Sequence, residues 1–259
     1  MQNFNYHTHT YRCGHARGTE EEMIEAAIQA GFKTIGISEH LAFEGWIDSN
    51  SRPSMKSMEE YLETMKYLKV KYADKIIVRT GFESEFFEDR IDYLKSVKER
   101  CDYLICGQHS KDRESLDYYH FPYYGDDYIM QMAEQVCCGI ELGLFNYVAH
   151  PDYFLLGGCE LTKGHHQALT KIACCAKKHG VVVELNIKGT RYGKQNYQGI
   201  ESYRYPNSIM AEILGDVGTL VCFGYDAHAP NQLLRQDVEA ELRELFKPFH
   251  LNYAVDLKL

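Results

Sequence analysis

The 259-residue chain has no C-x-x-C pair, only six prolines and one tryptophan, no excess of basic residues, and no apolar run long enough to span a bilayer. Each absence excludes something. Nine cysteines without a C-x-x-C pair argue against a thiolate zinc site or a dithiol redox motif. The vicinal pairs Cys137-Cys138 and Cys174-Cys175 fall in helix-like stretches, where reduced cysteine packs as a small hydrophobe. With 28 Lys and Arg against 37 Asp and Glu, the net charge of −9 excludes a broad basic face for tracking nucleic acid. A local basic pocket for one phosphate stays open. The start, Met1-Gln-Asn-Phe-Asn-Tyr6, carries neither a basic n-region nor an apolar h-region, and no membrane helix is expected. A cytoplasmic, reducing setting is the expectation, with no membrane partner.

What is present is a rhythm. Short apolar runs alternate with amphipathic segments, undivided by any linker or low-complexity tract. Strands are expected to end near His9, Ser38, Gly81, Gly107, His150, Asn186 and Gly224. Helices are expected near 20–30, 57–73, 89–99, 126–140, 163–179, 206–214 and 234–246. The first has a capping box in Thr19-Glu20-Glu21-Glu22 and stops at Ala30-Gly31. Val181-Val182-Val183-Glu184-Leu185 is β-branched, as suits a buried parallel strand. Such alternation predicts parallel βα units in an α/β fold, a single domain over residues 1–259 of TIM-barrel size. The segments 41–56, 108–125 and 187–205 are long for connections, as functional loops often are.

The strand ends carry the chemistry. His7 and His9 stand two apart, so both imidazoles face one way and can grip one metal. Later ends supply Ser38-Glu39-His40, Glu83-Ser84-Glu85, Gln108-His109, His150-Pro151-Asp152 and Asp226-Ala227-His228, and His15 follows the first strand closely. A lone His or Glu after a strand is more often a cap or a surface residue. Six strand ends in agreement are not coincidence, and they meet only if the strands surround one axis with these ends at the mouth, which favours a barrel. Imidazole and carboxylate without thiolate suit zinc, manganese or iron, and so many such groups suit several ions around a bridging carboxylate.

On His7-Thr-His-Thr-Tyr-Arg-Cys-Gly-His15-Ala, Ser38-Glu39-His40 and the later motifs in order, the chain resembles the polymerase-and-histidinol-phosphatase (PHP) family over nearly its whole length, within the histidinol-phosphatase branch. The resemblance implies a distorted TIM-like (β/α)7 barrel with three divalent metal ions. His7, His9, Glu83 and Asp226 would hold the first ion and Glu83, His109 and His150 the second. His15, His40 and His228 would hold the third. It further implies hydrolysis of a small phosphate monoester, foremost L-histidinol phosphate, by a metal-bridging hydroxide, with Glu83, Asp226, His228 and Arg191 in the catalytic group. Arg191, Arg204 and Lys188 are the candidates for gripping phosphate, since guanidinium matches phosphate geometry. The proton donor to the leaving group is unassigned, as is the oligomeric state.

The sequence departs from the family pattern at Asn5, where many relatives carry an aspartate, so a carboxylate contact to His7 must be lost or come from elsewhere. The aromatic segment Tyr118-Tyr-His-Phe-Pro-Tyr-Tyr124 serves either as a wall for a flat leaving group or as a packing patch. His120, His165, His166, His179 and His250 match no motif, and Cys13 is a near-site thiol without a role. Two rivals differ in chemistry: a phosphoesterase of nucleotides or short oligonucleotides, and a metal-dependent amidohydrolase. Amidohydrolases also open on His-x-His, but often bridge their ions with a modified lysine where Glu83 stands here.

Overall fold

The computed structural model describes residues 1–46, 51–115, 117–120, 125–197 and 199–259. Strands and helices alternate as β1 (Phe4–Asn5), α1 (Glu20–Gln29), β2 (Thr34–His40), α2 (Met55–Lys71), β3 (Ile77–Ser84), α3 (Ile91–Lys98) and β4 (Tyr103–Cys106). There follow α4 (Asp126–Glu141), β5 (Tyr147–Val148), α5 (Lys163–His179), β6 (Val182–Asn186), β7 (Lys194–Tyr197) and β8 (Ile200–Tyr203). The chain ends with α6 (Ser208–Val217), β9 (Leu220–Gly224), α7 (Gln236–Leu245) and β10 (Asn252–Tyr253). Local chemistry sets the helix starts. Thr19 and Glu22 form the expected box, with Glu22 N donating to Thr19 Oγ1 at 3.2 Å and Thr19 N to Glu22 Oε2 at 2.7 Å. Ser54 caps α2 two residues earlier than the sequence pattern suggested, accepting from Ser57 N at 3.1 Å.

The main sheet runs β1-β2-β3-β4-β5-β6-β9-β10, every pair parallel. The expected seven strands are β1 to β6 and β9, and the eighth, β10, is a two-residue strand too short to leave a pattern. The sheet curls into a distorted TIM-like barrel. Its seam lies between β1 and β9, and side-chain amides make much of it. Gln2 Nε2 donates to the Phe223 carbonyl at 2.7 Å, Phe223 N to Gln2 Oε1 at 2.9 Å, and Tyr225 N to Asn5 Oδ1 at 3.0 Å. At the mouth, Thr8 bridges Ala227, and His9 N donates to the Ala227 carbonyl at 2.8 Å.

Two apolar layers result. Phe4, Tyr6, Tyr103, Ile105, Tyr147, Val182 and Cys222 pack together as a cluster separate from the larger one in which helices meet strands. Tyr103 needs room. A Cβ on Gly81 would lie 2.3 Å from its ring and one on Gly36 2.2 Å from its hydroxyl, so only glycine fits at either place. The segment expected as a loop over 187–205 is instead a 3-10 turn, Ile187–Tyr192, followed by the antiparallel hairpin of β7 and β8. Its strands, Lys-Gln-Asn-Tyr and Ile-Glu-Ser-Tyr, bury Tyr197 and the adjacent pair Ser202 and Tyr203 and leave the rest mostly exposed, so they carry little apolar alternation to read.

Candidate metal centre

The C-terminal ends of the barrel strands bring the expected ligands together. His7 and His9 are wholly buried, their Nε2 atoms 3.1 Å apart, as a period of two requires. Glu83, at the end of β3, lies among five imidazoles. Its Oε2 is 3.3 Å from His7 Nε2, 3.2 Å from His9 Nε2 and 3.1 Å from His40 Nδ1. Its Oε1 is 3.0 Å from His150 Nε2 and 3.4 Å from His109 Nε2. One carboxylate thus faces two groups of nitrogens, one on each oxygen. Asp226 Oδ1 is 3.6 Å from Nε2 of both His7 and His9 and 3.2 Å from His228 Nδ1. His15, His40 and His228 gather their ring nitrogens within 4.8 Å of one another. All nine expected ligands therefore converge.

The backbone is bent to achieve this. His150 at φ 25° and Asp226 at φ 44° are non-glycine residues in the left-handed region, a strained conformation that concentrates at functional sites. Space is also reserved. A Cβ on Gly107 would lie 2.1 Å from Glu83 Oε1, and one on Gly224 1.5 Å from Glu184 Oε1.

Glu184 was not singled out as a site residue from sequence. It is a wholly enclosed carboxylate in the β6 valine run, and it accepts from His7 Nδ1 at 2.8 Å, Tyr147 OH at 2.7 Å, His150 N at 2.9 Å and Asn186 Nδ2 at 2.9 Å. It supplies the carboxylate contact to His7 that Asn5 lacks. Asn5 instead accepts across the seam from Tyr225 N at 3.0 Å, while its Nδ2 donates within the first strand end to the His7 carbonyl at 3.1 Å and to Thr8 Oγ1 at 2.8 Å, which an aspartate could not do. Glu85 plays a similar part for His109, accepting from its Nδ1 at 2.8 Å. Glu39 fixes the first loop by accepting from Thr10 N at 2.6 Å, and burial pushes its carboxyl up to about 8.

Protonation follows from these contacts. Burial, with His228 beside it, holds His9 well below the ordinary histidine range, and burial with Arg52 does the same to His40. Burial opposes charge on His7 too, yet Glu184, Asp226 and Glu83 outweigh it and raise the ring well above the ordinary value. Burial likewise disfavours ionised Glu83 and Asp226. The histidines around Glu83, and Lys188 with His7 around Asp226, hold both well below the carboxylate range. Ionised carboxylates facing imidazoles are the donor set that a divalent cation requires.

A cavity of ≈ 250 Å³ opens over the cluster, with Glu83, His109, His150 and Asp226 in its lining. Lys188 and Arg191 line it as well. Lys188 Nζ lies 3.1 Å from Asp226 Oδ1 and 3.3 Å from His228 Nε2, and the Arg191 guanidinium donates to Tyr192 OH at 3.0 Å. Arg204, also expected as a phosphate ligand, lies outside this lining, and its Nη1 donates to the Leu156 carbonyl at 2.7 Å. Arg52, unforeseen, does line it. Tyr118, Tyr153, Tyr192 and Tyr205 form an aromatic wall. Of the aromatic segment, Tyr118 thus faces the cavity and Tyr119 is buried in the core, while residues 121–124 lie outside the described residues. His120 packs 5.0 Å from the Tyr153 ring, and His165 is a cap residue of α5, its Nδ1 3.0 Å from the Glu160 carbonyl. Cys13 Sγ is buried 3.9 Å from His15 Nε2, and burial pushes its thiol up to about 12. No helix among the described residues is long and apolar enough to cross a membrane.

The chain is similar to several known proteins. Two proteins named probable histidinol-phosphatases are similar in sequence. The one from Deinococcus radiodurans is 26% identical over 88% of this chain and 86% of its own length. The one from Schizosaccharomyces pombe is 22% identical over 88% and 81%. In structure, the histidinol phosphate phosphatase of Lactococcus lactis, solved with zinc, L-histidinol and phosphate, superposes with a TM-score of 0.71 at 13% identity, covering 100% of this chain and 99% of that one. The PHP domain family matches residues 5–188, which hold seven of the nine converging ligands. The chain belongs to the PHP domain family.

Proposed function

We propose that this chain is a metal-dependent phosphate-monoester hydrolase whose substrate is L-histidinol phosphate, and that residues 1–259 act as one domain. The observation that carries the reading is Glu83, a single buried carboxylate with imidazole nitrogens on both oxygens beneath a cavity edged by Lys188 and Arg191. The residues fit metal ions on their own chemistry. The donors are nitrogen and carboxylate oxygen, and the Gly107 cradle keeps Glu83 free of the neighbouring strand. His7, His9, Glu83 and Asp226 would hold one ion, Glu83, His109 and His150 a second, and His15, His40 and His228 a third, drawn from zinc, manganese and iron. When bound, such ions supply a water of lowered pKa and neutralise the phosphate oxygens, which this very slow hydrolysis needs.

The chain's own side chains do the rest. Glu184 and Glu85 hold His7 and His109 by Nδ1, which leaves each Nε2 facing Glu83. Lys188 and Arg191 would orient the phosphate, and the tyrosine wall would exclude water and receive a flat imidazole leaving group. The names of the similar proteins support histidinol phosphate as the substrate. All nine cysteines are unpaired, in keeping with a cytoplasmic setting.

The test is hydrolysis by the purified, metal-loaded protein of histidinol phosphate, nucleoside monophosphates, short oligonucleotides and an amide panel. The expected result is phosphate release from histidinol phosphate in large preference, abolished by a chelator and restored by divalent metal. Preference for nucleotides would remove the substrate, and amide hydrolysis without phosphatase activity would remove the reaction class.

A further inference from the structure

Of the three Lys and Arg side chains that line the cavity, one stands in no segment singled out above for gripping phosphate. Arg52 follows the 41–50 segment, and its side chain is only 5% exposed although it lines the cavity. Three contacts fix it. Its Nη2 pairs with Glu85 Oε1, the same oxygen that accepts from His109 Nδ1 at 2.8 Å. Its Nη1 donates to the Ser51 carbonyl at 3.0 Å, and its guanidinium stacks on Trp46, Cζ lying 4.6 Å from the ring centroid. Its Nε is buried with no hydrogen-bond partner among the described residues.

A guanidinium has five N–H donors in a rigid fork. One carboxylate oxygen and one carbonyl do not exhaust them, and Glu85 divides its charge between Arg52 and His109. Burying an arginine whose donors are only partly met is costly unless something completes the set. The cavity it borders is the one that Lys188 and Arg191 also line. A phosphate monoester dianion is the complement of such a fork, and stacking on Trp46 limits the ordering that binding would otherwise demand.

We propose that Arg52 is a phosphate-binding residue, donating to the non-bridging oxygens of the substrate's phosphoryl group while Glu85 and Trp46 hold it in place. This rests on the phosphatase reading above. The arrangement also joins Arg52 to His109 through one carboxylate, so the phosphate grip and the metal ligand share a support.

The experiment uses the metal-loaded protein, with inorganic phosphate as the probe, and follows binding by calorimetry and by competitive inhibition of turnover. Arg52→Ala is expected to weaken phosphate binding about tenfold to a hundredfold and to raise KM, with metal content unchanged. Arg52→Lys should recover part of the affinity, because it keeps the charge and loses the fork. Phosphate affinity equal to wild type in Arg52→Ala would overturn the proposal. So would a loss that tracks loss of metal, which would make Arg52 only a support for Glu85 and His109. If Arg52→Ala does not fold, Arg52→Lys decides alone, since wild-type affinity for phosphate in that variant would equally refute a fork-dependent grip. A wild-type protein that binds phosphate through Arg52 yet hydrolyses no monoester would sink the phosphatase reading and leave this one standing.

Discussion

Replacing Glu184 with glutamine should cost the protein metal rather than its fold, and the size of the effect follows from its four donors. His7 Nδ1 and Tyr147 OH share Oε1, while His150 N and Asn186 Nδ2 share Oε2. In Glu184→Gln one oxygen becomes an NH2 group, which must face one of these pairs. Backbone N–H and amide NH2 cannot adapt, so the glutamine nitrogen turns toward Tyr147 and His7. The tyrosine hydroxyl can rotate to accept. His7 can accept only by losing its Nδ1 proton, which places the proton on Nε2, the atom 3.3 Å from Glu83 Oε2 and needed by a metal. Recovering the metal-binding tautomer then sets two donors against each other, at about 1–3 kcal/mol for the group left unmet. That corresponds to metal affinity weaker by about tenfold to a hundredfold, the range seen when the outer partner of a ligating histidine is lost. The assay is chelator stripping followed by titration of zinc or manganese, with circular dichroism recorded on the same samples. Wild-type metal affinity in a folded Glu184→Gln variant would refute the assignment of Glu184 as the group that orients His7.

Glu83→Ala is expected to lower turnover by on the order of 10²–10³ or more, and His109→Ala to lower it strongly, with far-ultraviolet circular dichroism near wild type; wild-type turnover in either would end the bridging-carboxylate reading. Gly224→Ala would place its Cβ 1.5 Å from Glu184 Oε1, so metal stoichiometry in purified protein should fall or folding should fail; a stable, fully loaded variant would contradict the packing described. Acid should destabilise the metal-free protein slightly through His15, whose ring is held down to about 4 by partial desolvation and by His228, although solvent reaches the residue and screens the effect. A histidine depressed on folding contributes stability above its unfolded value of about 6.5, and that stability is lost as pH falls toward 4. His9, His40 and His228 act in the same direction and His7 and His150 in the opposite one, so the specific expectation is a shallower fall of the thermal midpoint between pH 6.5 and 4 in His15→Ala. An identical fall in the two proteins would count against it.

Much of the site was legible because strand geometry is rigid. His7 and His9 share a face by period, and parallel strands closing on one axis must bring their C-terminal residues together, so ligands from distant motifs meet. The supports were not legible. Glu184 lies inside a valine run, and sequence does not say whether a glutamate there is enclosed or turned outward; only Gly224 on the neighbouring strand makes room for it. Arg52 lies in an irregular segment with no period to place it. Arg204 lies outside the cavity lining with its Nη1 on the Leu156 carbonyl, a placement that no sequence pattern carries. The 187–205 segment shows no strand pattern because the buried residues of its hairpin, Tyr197, Ser202 and Tyr203, do not alternate regularly with the exposed ones. Asn5 looked like a loss, yet its amide donates where an aspartate could only accept, and the carboxylate reappears from another strand.

The most direct measurement is anomalous X-ray diffraction from crystals of the metal-loaded protein soaked with phosphate. The account predicts anomalous peaks on both oxygens of Glu83, one shared with His7, His9 and Asp226 and the other with His109 and His150, with phosphate above them within reach of Lys188 or Arg191. Ions held elsewhere, with Glu83 touching none, would contradict it.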